Sequence, residues 1–218
     1  MSDLDKQRFN MIEQQIRPWN VLDDTVLSAL FAVKREQFVP ANAQAYTFVD
    51  MEAPIGEGQV MLQPKIEARI LELLQIKPSD KVLEIGTGTG YQAALLAHFA
   101  AQVTTIEITP SLAAQAQANL QAAGIQNVQV QVGDGAQGWA NGAPYDVIVV
   151  SASLPDLPNR FKEQLAIGGR LFVILGDAPV MTAWVITRTS EQAFSQESFF
   201  ETMTAPLQNA KQPERFVF

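Results

Sequence analysis

Between about residues 5 and 40, apolar positions recur at helical spacing: Phe9, Ile12 and Ile16, then Val21, Val26, Leu27, Leu30 and Phe31. That period predicts helices. Pro18 separates the two runs, because proline removes a helix hydrogen bond and clashes with the preceding turn. Residues 41–64 carry Pro54, Gly56, Gly58 and Pro64 and read as irregular; a helix from Lys65 to Leu74 follows.

From about residue 79 to 176 the pattern becomes short apolar runs alternating with helical ones. Lys81–Ile85, Val103–Glu107, Val128–Val132 and Arg170–Leu175 read as strands. Tyr145–Val150 is apolar on both faces, as expected of a central parallel strand buried under helices. A helix is expected from Tyr91 to Ala100, and another follows Thr109, with Pro110 in its first turn and Gly124 just past its end. Leu157–Leu165 reads as a helix and Gly168-Gly169 as a turn. Such alternation predicts an open, doubly wound parallel sheet of the α/β class with right-handed crossovers. Ala183–Arg188 and Ser195–Met203 read as antiparallel edge strands, and the tail from Gln208 to Arg215 as loosely ordered. One domain is expected, with residues 1–78 as an N-terminal region, 79–188 as its core and 189–218 as edge strand and tail.

Composition narrows the chemistry. The 218 residues include no cysteine and a single histidine, His98, which excludes thiol catalysis, disulfides and cysteine-ligated zinc. With 15 basic and 23 acidic side chains the net charge is −8; 22 glutamines add polarity without charge. Between Lys81 and Arg160 there is no lysine or arginine, while Glu84, Glu107, Asp134, Asp146 and Asp156 lie inside that gap. A nucleic-acid partner is not expected, since binding phosphates requires clustered cations. No apolar run reaches the length of a membrane span, and Met1 to Lys6 has no signal-peptide pattern, so a cytoplasmic protein is expected.

The first strand-turn-helix of a doubly wound sheet is where ligands bind, and here it reads Glu84-Ile85-Gly86-Thr87-Gly88-Thr89-Gly90-Tyr91. The spacing is G-x-G-x-G, not the G-x-G-x-x-G of dinucleotide sites. A carboxylate at Glu84 would repel a pyrophosphate but suits an ammonium. Glu107 ends the next strand, where a carboxylate accepts from ribose hydroxyls, and Gly133-Asp134-Gly135 follows the third strand, in place for an adenine edge. An adenosyl ligand without phosphate but with a sulfonium and an ammonium, S-adenosylmethionine, fits all of these features.

At these residues the chain resembles the protein-L-isoaspartate O-methyltransferase family. Val82 to Ala94 is similar to its cofactor motif, as is Gly133-Asp134-Gly135 with Trp139. Gln15-Ile16-Arg17, Arg35 to Pro40, Pro54 to Gln59 and Leu165 to Leu171 carry the likeness outside the cofactor segment. The resemblance implies a methyltransferase acting on isoaspartyl residues of damaged proteins. It implies cofactor contacts at Glu84, Gly86, Thr87, Gly88, Gly90, Glu107, Ile108, Asp134 and Gly135. The substrate loop would comprise Ile55, Gly56, Gln59, Val60, Met61, Leu62 and Gln63. That chemistry suits the composition, because a carboxylate nucleophile is already ionised at neutral pH and needs no general base. One departure stands out. Where the family reads Thr-Ile-Ser-Gln-Pro, with an active-site serine, this chain reads Val60-Met61-Leu62-Gln63-Pro64. A paralogue that methylates another acid, or a non-catalytic cofactor binder, is the alternative this leaves open. Ala205-Pro206-Leu207 is only weakly similar to the family's Phe-Val-Pro-Leu.

Other candidates have plainer readings. His98, with no carboxylate at helical spacing, is expected to be structural or solvated. Asn141-Gly142 is a turn former. Trp19, Trp139 and Trp184 are expected in the core or an interface, and Asp50 and Glu57 as solvated loop carboxylates. Tyr91 suits either a cofactor cover or helix–sheet packing.

Overall fold

The computed structural model describes residues 2–212. Its N-terminal run begins with helix α1 (Asp3–Met11), where Ser2 and Asp5 form a reciprocal capping box. The chain continues as a π turn (Ile12–Ile16) and a 3-10 turn (Arg17–Trp19) that contains Pro18, and the run ends at Asn20, whose φ of 58° is left-handed. Helix α2 (Asp24–Ala32) follows, capped by the Asp23 side chain. Residues 41–64 are more ordered than their prolines and glycines suggest. A 3-10 turn (Ala41–Tyr46) leads to a hairpin of β1 (Ala53–Gly56) and β2 (Gln59–Met61). Glu57 and Gly58 both take positive φ, 53° and 69°. This is the backbone a two-residue hairpin turn requires, and a glutamate in it masks the signal. Helix α3 (Pro64–Leu74) follows directly.

The core alternates as expected: β3 (Lys81–Ile85), α4 (Tyr91–Phe99), β4 (Gln102–Glu107), α5 (Pro110–Ala122), β5 (Val128–Val132), β6 (Tyr145–Leu154), α6 (Asn159–Glu163) and β7 (Leu165–Leu175). β8 (Met181–Arg188) and β9 (Phe194–Thr202) complete a seven-stranded sheet ordered β5-β4-β3-β6-β7-β8-β9. The first five of these strands pair in parallel and the last two add antiparallel, with β9 at the edge. β6 lies between β3 and β7, and Val147 to Val150 are fully buried, which explains an apolar run on both faces.

Two further expectations change. The helix expected over Leu157–Leu165 is only Asn159–Glu163, because Leu165 already pairs with Tyr145 as the start of β7. Gly168-Gly169 is not a turn between elements but a bulge inside β7, between the pairs Tyr145–Leu165 and Val147–Arg170. A Cβ on Gly169 would stand 2.9 Å from two carbonyl oxygens, so the excursion needs a bare backbone. One apolar cluster runs from Met11 and Ile16 through α3 and α4 to Phe172 and Val185, joining the N-terminal helices to one face of the sheet. Among the described residues no helix is long and apolar enough to cross a membrane. The expectation for the tail lies outside the described residues from residue 213 onward.

Candidate active site

The glycine loop leaves β3 with Gly86 N–H donating to the Ile106 carbonyl (2.9 Å) and turns back through Gly90 N–H to the Thr87 carbonyl (2.9 Å). At Gly88, φ is +53°, and a Cβ there would come within 3.1 Å of Ile55 Cδ1, so the hairpin rests on this loop. Its tip is tied across to the start of α5, where Ser111 Oγ donates to Glu57 Oε1 (2.8 Å). Loop, hairpin and strand ends enclose a cleft with about 690 Å³ of empty space up to its open mouth.

Six of the expected cofactor residues line that cleft: Gly86, Gly88, Glu107, Ile108, Asp134 and Gly135. Glu107 is almost fully buried, accepting from Gly88 N–H (2.8 Å) and Thr109 N–H (3.0 Å) through separate oxygens. Asp134 accepts from Ala136 N–H through Oδ1 (2.9 Å). Gly90 stands off the cleft as the left-handed N-cap of α4, facing Ala116 and Leu120 of α5. Of the hairpin residues, Ile55, Gln59, Val60 and Leu62 reach the cleft, whereas Gly56 and Gln63 do not. Met61 and Thr87 line a smaller annex of about 300 Å³ behind the loop, which shares Val60, Leu62, Gly86, Gly88 and Ser151 with the cleft.

Glu84 lies beneath the cleft, not in its wall. It is completely buried and accepts from Thr105 Oγ1 (2.6 Å) and Ser151 Oγ (3.1 Å); Thr87 Oγ1 extends the chain to Thr105 (2.6 Å). Burial pushes its carboxyl up to about 8, against the two hydroxyls that lower it. Because that value lies above 4.5, the folded protein keeps a proton that the unfolded chain releases. This stabilisation is complete below the unfolded value and lost as the pH rises through about 8. Glu84→Gln is therefore expected to flatten the decline of stability between about pH 5 and 9, read from denaturant midpoints at each pH. A slope unchanged from the parent would count against a proton on Glu84.

The annex brings together side chains that the sequence does not link. Thr89 Oγ1, the Tyr91 hydroxyl and both amide atoms of Gln92 are buried without a hydrogen-bond partner among the described residues. Glu67 also lines this space and forms a buried ion pair with Arg35. The Arg35 guanidinium donates through Nη2 to the Leu62 carbonyl (2.9 Å) and lies 5.0 Å from the centre of the Tyr91 ring. Tyr91 thus packs between Phe38 and Arg35 and does not face the cleft. The cleft is also lined by Ser151 and Ala152 of β6, half-buried at a register shift between Val149 and Ser153, and by Thr204 to Gln208 of the C-terminal segment. No periodicity in the sequence marks those C-terminal residues; the short Ala205-Pro206-Leu207 likeness is their one signal. His98 is exposed beside Phe99, away from the cleft.

A doubly wound sheet whose glycine loop opens on a cleft that has no lysine or arginine among its described lining residues, flanked by a hairpin, has the architecture of a Rossmann-like methyltransferase. Solved structures share it. A protein-L-isoaspartate O-methyltransferase superposes with a TM-score of 0.78 at 24% identity, over 93% of this chain and 65% of that one. The Plasmodium falciparum protein-L-isoaspartate O-methyltransferase, solved with S-adenosyl-L-homocysteine, gives 0.80 at 18% identity over 95% and 99%. Residues 6–212 match the family model of protein-L-isoaspartate(D-aspartate) O-methyltransferase, and the chain belongs to that family of S-adenosylmethionine-dependent enzymes. Protein-L-isoaspartate O-methyltransferase 1 of Rhodopseudomonas palustris is 46% identical over 92% of this chain and 82% of its own length. Protein-L-isoaspartate O-methyltransferase 2 of Marinobacter nauticus is 42% identical over 94% of both.

Proposed function

We propose that this protein transfers a methyl group from S-adenosylmethionine, held in the cleft, to the α-carboxylate of isoaspartyl residues in damaged cytoplasmic proteins. The observation that carries the reading is the cleft wall, which among the described residues holds two carboxylates, Glu107 and Asp134, and no lysine or arginine. A phosphorylated nucleotide finds no counter-charge there, whereas an adenosyl group finds acceptors. Ile85, Ile106, Ile108 and Leu112 offer an apolar slot for a base. Glu107 keeps lone pairs for ribose hydroxyls and Asp134 for an exocyclic amine. The unpartnered groups of Thr89, Tyr91 and Gln92, with the Glu67 carboxylate, suit an ammonium and a carboxylate. In this reading Glu84, Thr87 and Gly90 hold the loop in shape.

When bound, the cofactor supplies an electrophilic methyl on sulfur. The chain then has to orient and dry the acceptor, because a carboxylate with an ordinary pKa near 4 arrives ionised. Ile55, Val60 and Leu62 line the cleft as apolar walls that exclude water.

Leu62 favours a second reading, in which a different acid is the acceptor. It is buried at the junction of cleft and annex and brings no hydroxyl to a carboxylate. Labelled cofactor and an isoaspartyl peptide separate the two. Methyl ester formation by the parent is expected, with Leu62→Ser raising kcat/KM about tenfold as the acceptor gains a hydrogen bond. An inactive parent with an active Leu62→Ser variant would establish the second reading instead.

A further inference from the structure

Beyond β9 the chain turns back along the cleft and is held there at three points. Thr204 Oγ1 donates to Glu52 Oε1 (2.8 Å). Ser153 N–H donates to the Ala205 carbonyl (3.0 Å), and Leu207 N–H donates to the Ser153 carbonyl (2.8 Å), which adds a short parallel bridge beside β6. The third point is a side-chain contact: Asn209 Nδ2 donates to Asp134 Oδ2 (2.9 Å). Asn209 has a φ of 60°, in the left-handed region that asparagine tolerates better than most residues. It sits in a turn closed by Ala210 N–H to the Leu207 carbonyl (3.2 Å), next to Gln208 in the cleft wall.

Asp134 is therefore gripped on both oxygens, by Ala136 N–H and by Asn209. A carboxylate held at both ends has a fixed plane, and each oxygen retains a lone pair for one further donor. A ligand edge presenting an N–H is satisfied there, while a carbonyl in the same place meets a charged acceptor.

We propose that Asn209 is a specificity-determining residue of the cofactor site. It fixes the Asp134 carboxylate as the acceptor for the 6-amino group of adenine, so that an adenosyl ligand is preferred over its 6-oxo counterpart. The proposal rests on the reading of the cleft as an S-adenosylmethionine site.

Calorimetry on the full-length protein with S-adenosylhomocysteine and S-inosylhomocysteine tests both layers. Asn209→Gly keeps the left-handed turn and removes the donor. It is expected to weaken S-adenosylhomocysteine binding about three- to tenfold and to leave S-inosylhomocysteine nearly unchanged. In an Asp134→Ala background, Asn209→Gly should have no further effect, since its action runs through that carboxylate. Equal losses for both ligands, a loss that persists in the Asp134→Ala background, or no loss at all would overturn the proposal and leave Asn209 as a tie for the C-terminal segment. A parent that binds neither ligand would refute the cofactor reading itself, and this inference with it.

Discussion

Glu107→Ala is expected to lower the affinity for S-adenosylhomocysteine about a hundredfold. Two hydroxyl hydrogen bonds to a charged acceptor contribute about 1.5–3 kcal/mol each, and about 1.4 kcal/mol is a factor of ten. The same change also takes the partner from Gly88 N–H and Thr109 N–H, the two amides that fix the glycine loop and the start of α5. Glu107→Gln keeps one oxygen acceptor but turns an N–H toward one of those amides, so about a tenfold loss is expected. Binding to Glu107→Ala within about threefold of the parent would remove the ribose from this carboxylate.

Glu67→Ala is expected to cost about 3–5 kcal/mol of stability, because it leaves the Arg35 charge buried without a partner. In a chain of this size that is a fall in Tm of roughly 10 °C. Both side chains are almost entirely inaccessible, and burial pushes the Glu67 carboxyl up to about 7 while Arg35 pulls it down. A double Arg35→Met, Glu67→Met variant removes both charges and retains volume, so it should be more stable than Glu67→Ala alone. The double variant also releases the Leu62 carbonyl from Arg35, so its activity should fall even where its Tm recovers. A midpoint for Glu67→Ala within about 2 °C of the parent would show that water reaches Arg35.

Much of the sheet was legible because burial imposes a period on each element. The bounds of Val128–Val132 and the central place of Tyr145–Val150 both follow from apolar runs a few residues long. The helix after Thr109 was bounded by Pro110 and Gly124, whose backbone preferences are local. The hairpin carries no turn signal in the sequence because its turn places Glu57, not asparagine or aspartate, at positive φ. The β7 bulge is indistinguishable from a turn in sequence because Gly168 and Gly169 look the same whether a chain reverses or only bows out of a strand.

The sequence by itself determined the class of ligand. The G-x-G-x-G spacing, Glu107 at a strand end and the span free of lysine and arginine are local or additive properties, and they hold wherever the chain goes. Only the tertiary structure decided which groups line the cleft. Glu84 sinks beneath the floor because it sits on a strand covered on both faces, and Asn209 meets Asp134 across 75 residues of chain. The annex brings the buried Arg35–Glu67 pair, from separate segments, beside Leu62 and the side chains of Thr89, Tyr91 and Gln92, whose polar atoms have no partner among the described residues. Contacts of this kind carry no period and no fixed spacing. They exist because the packed core brings distant segments together, and each buried polar atom must then find whatever partner the fold has placed beside it.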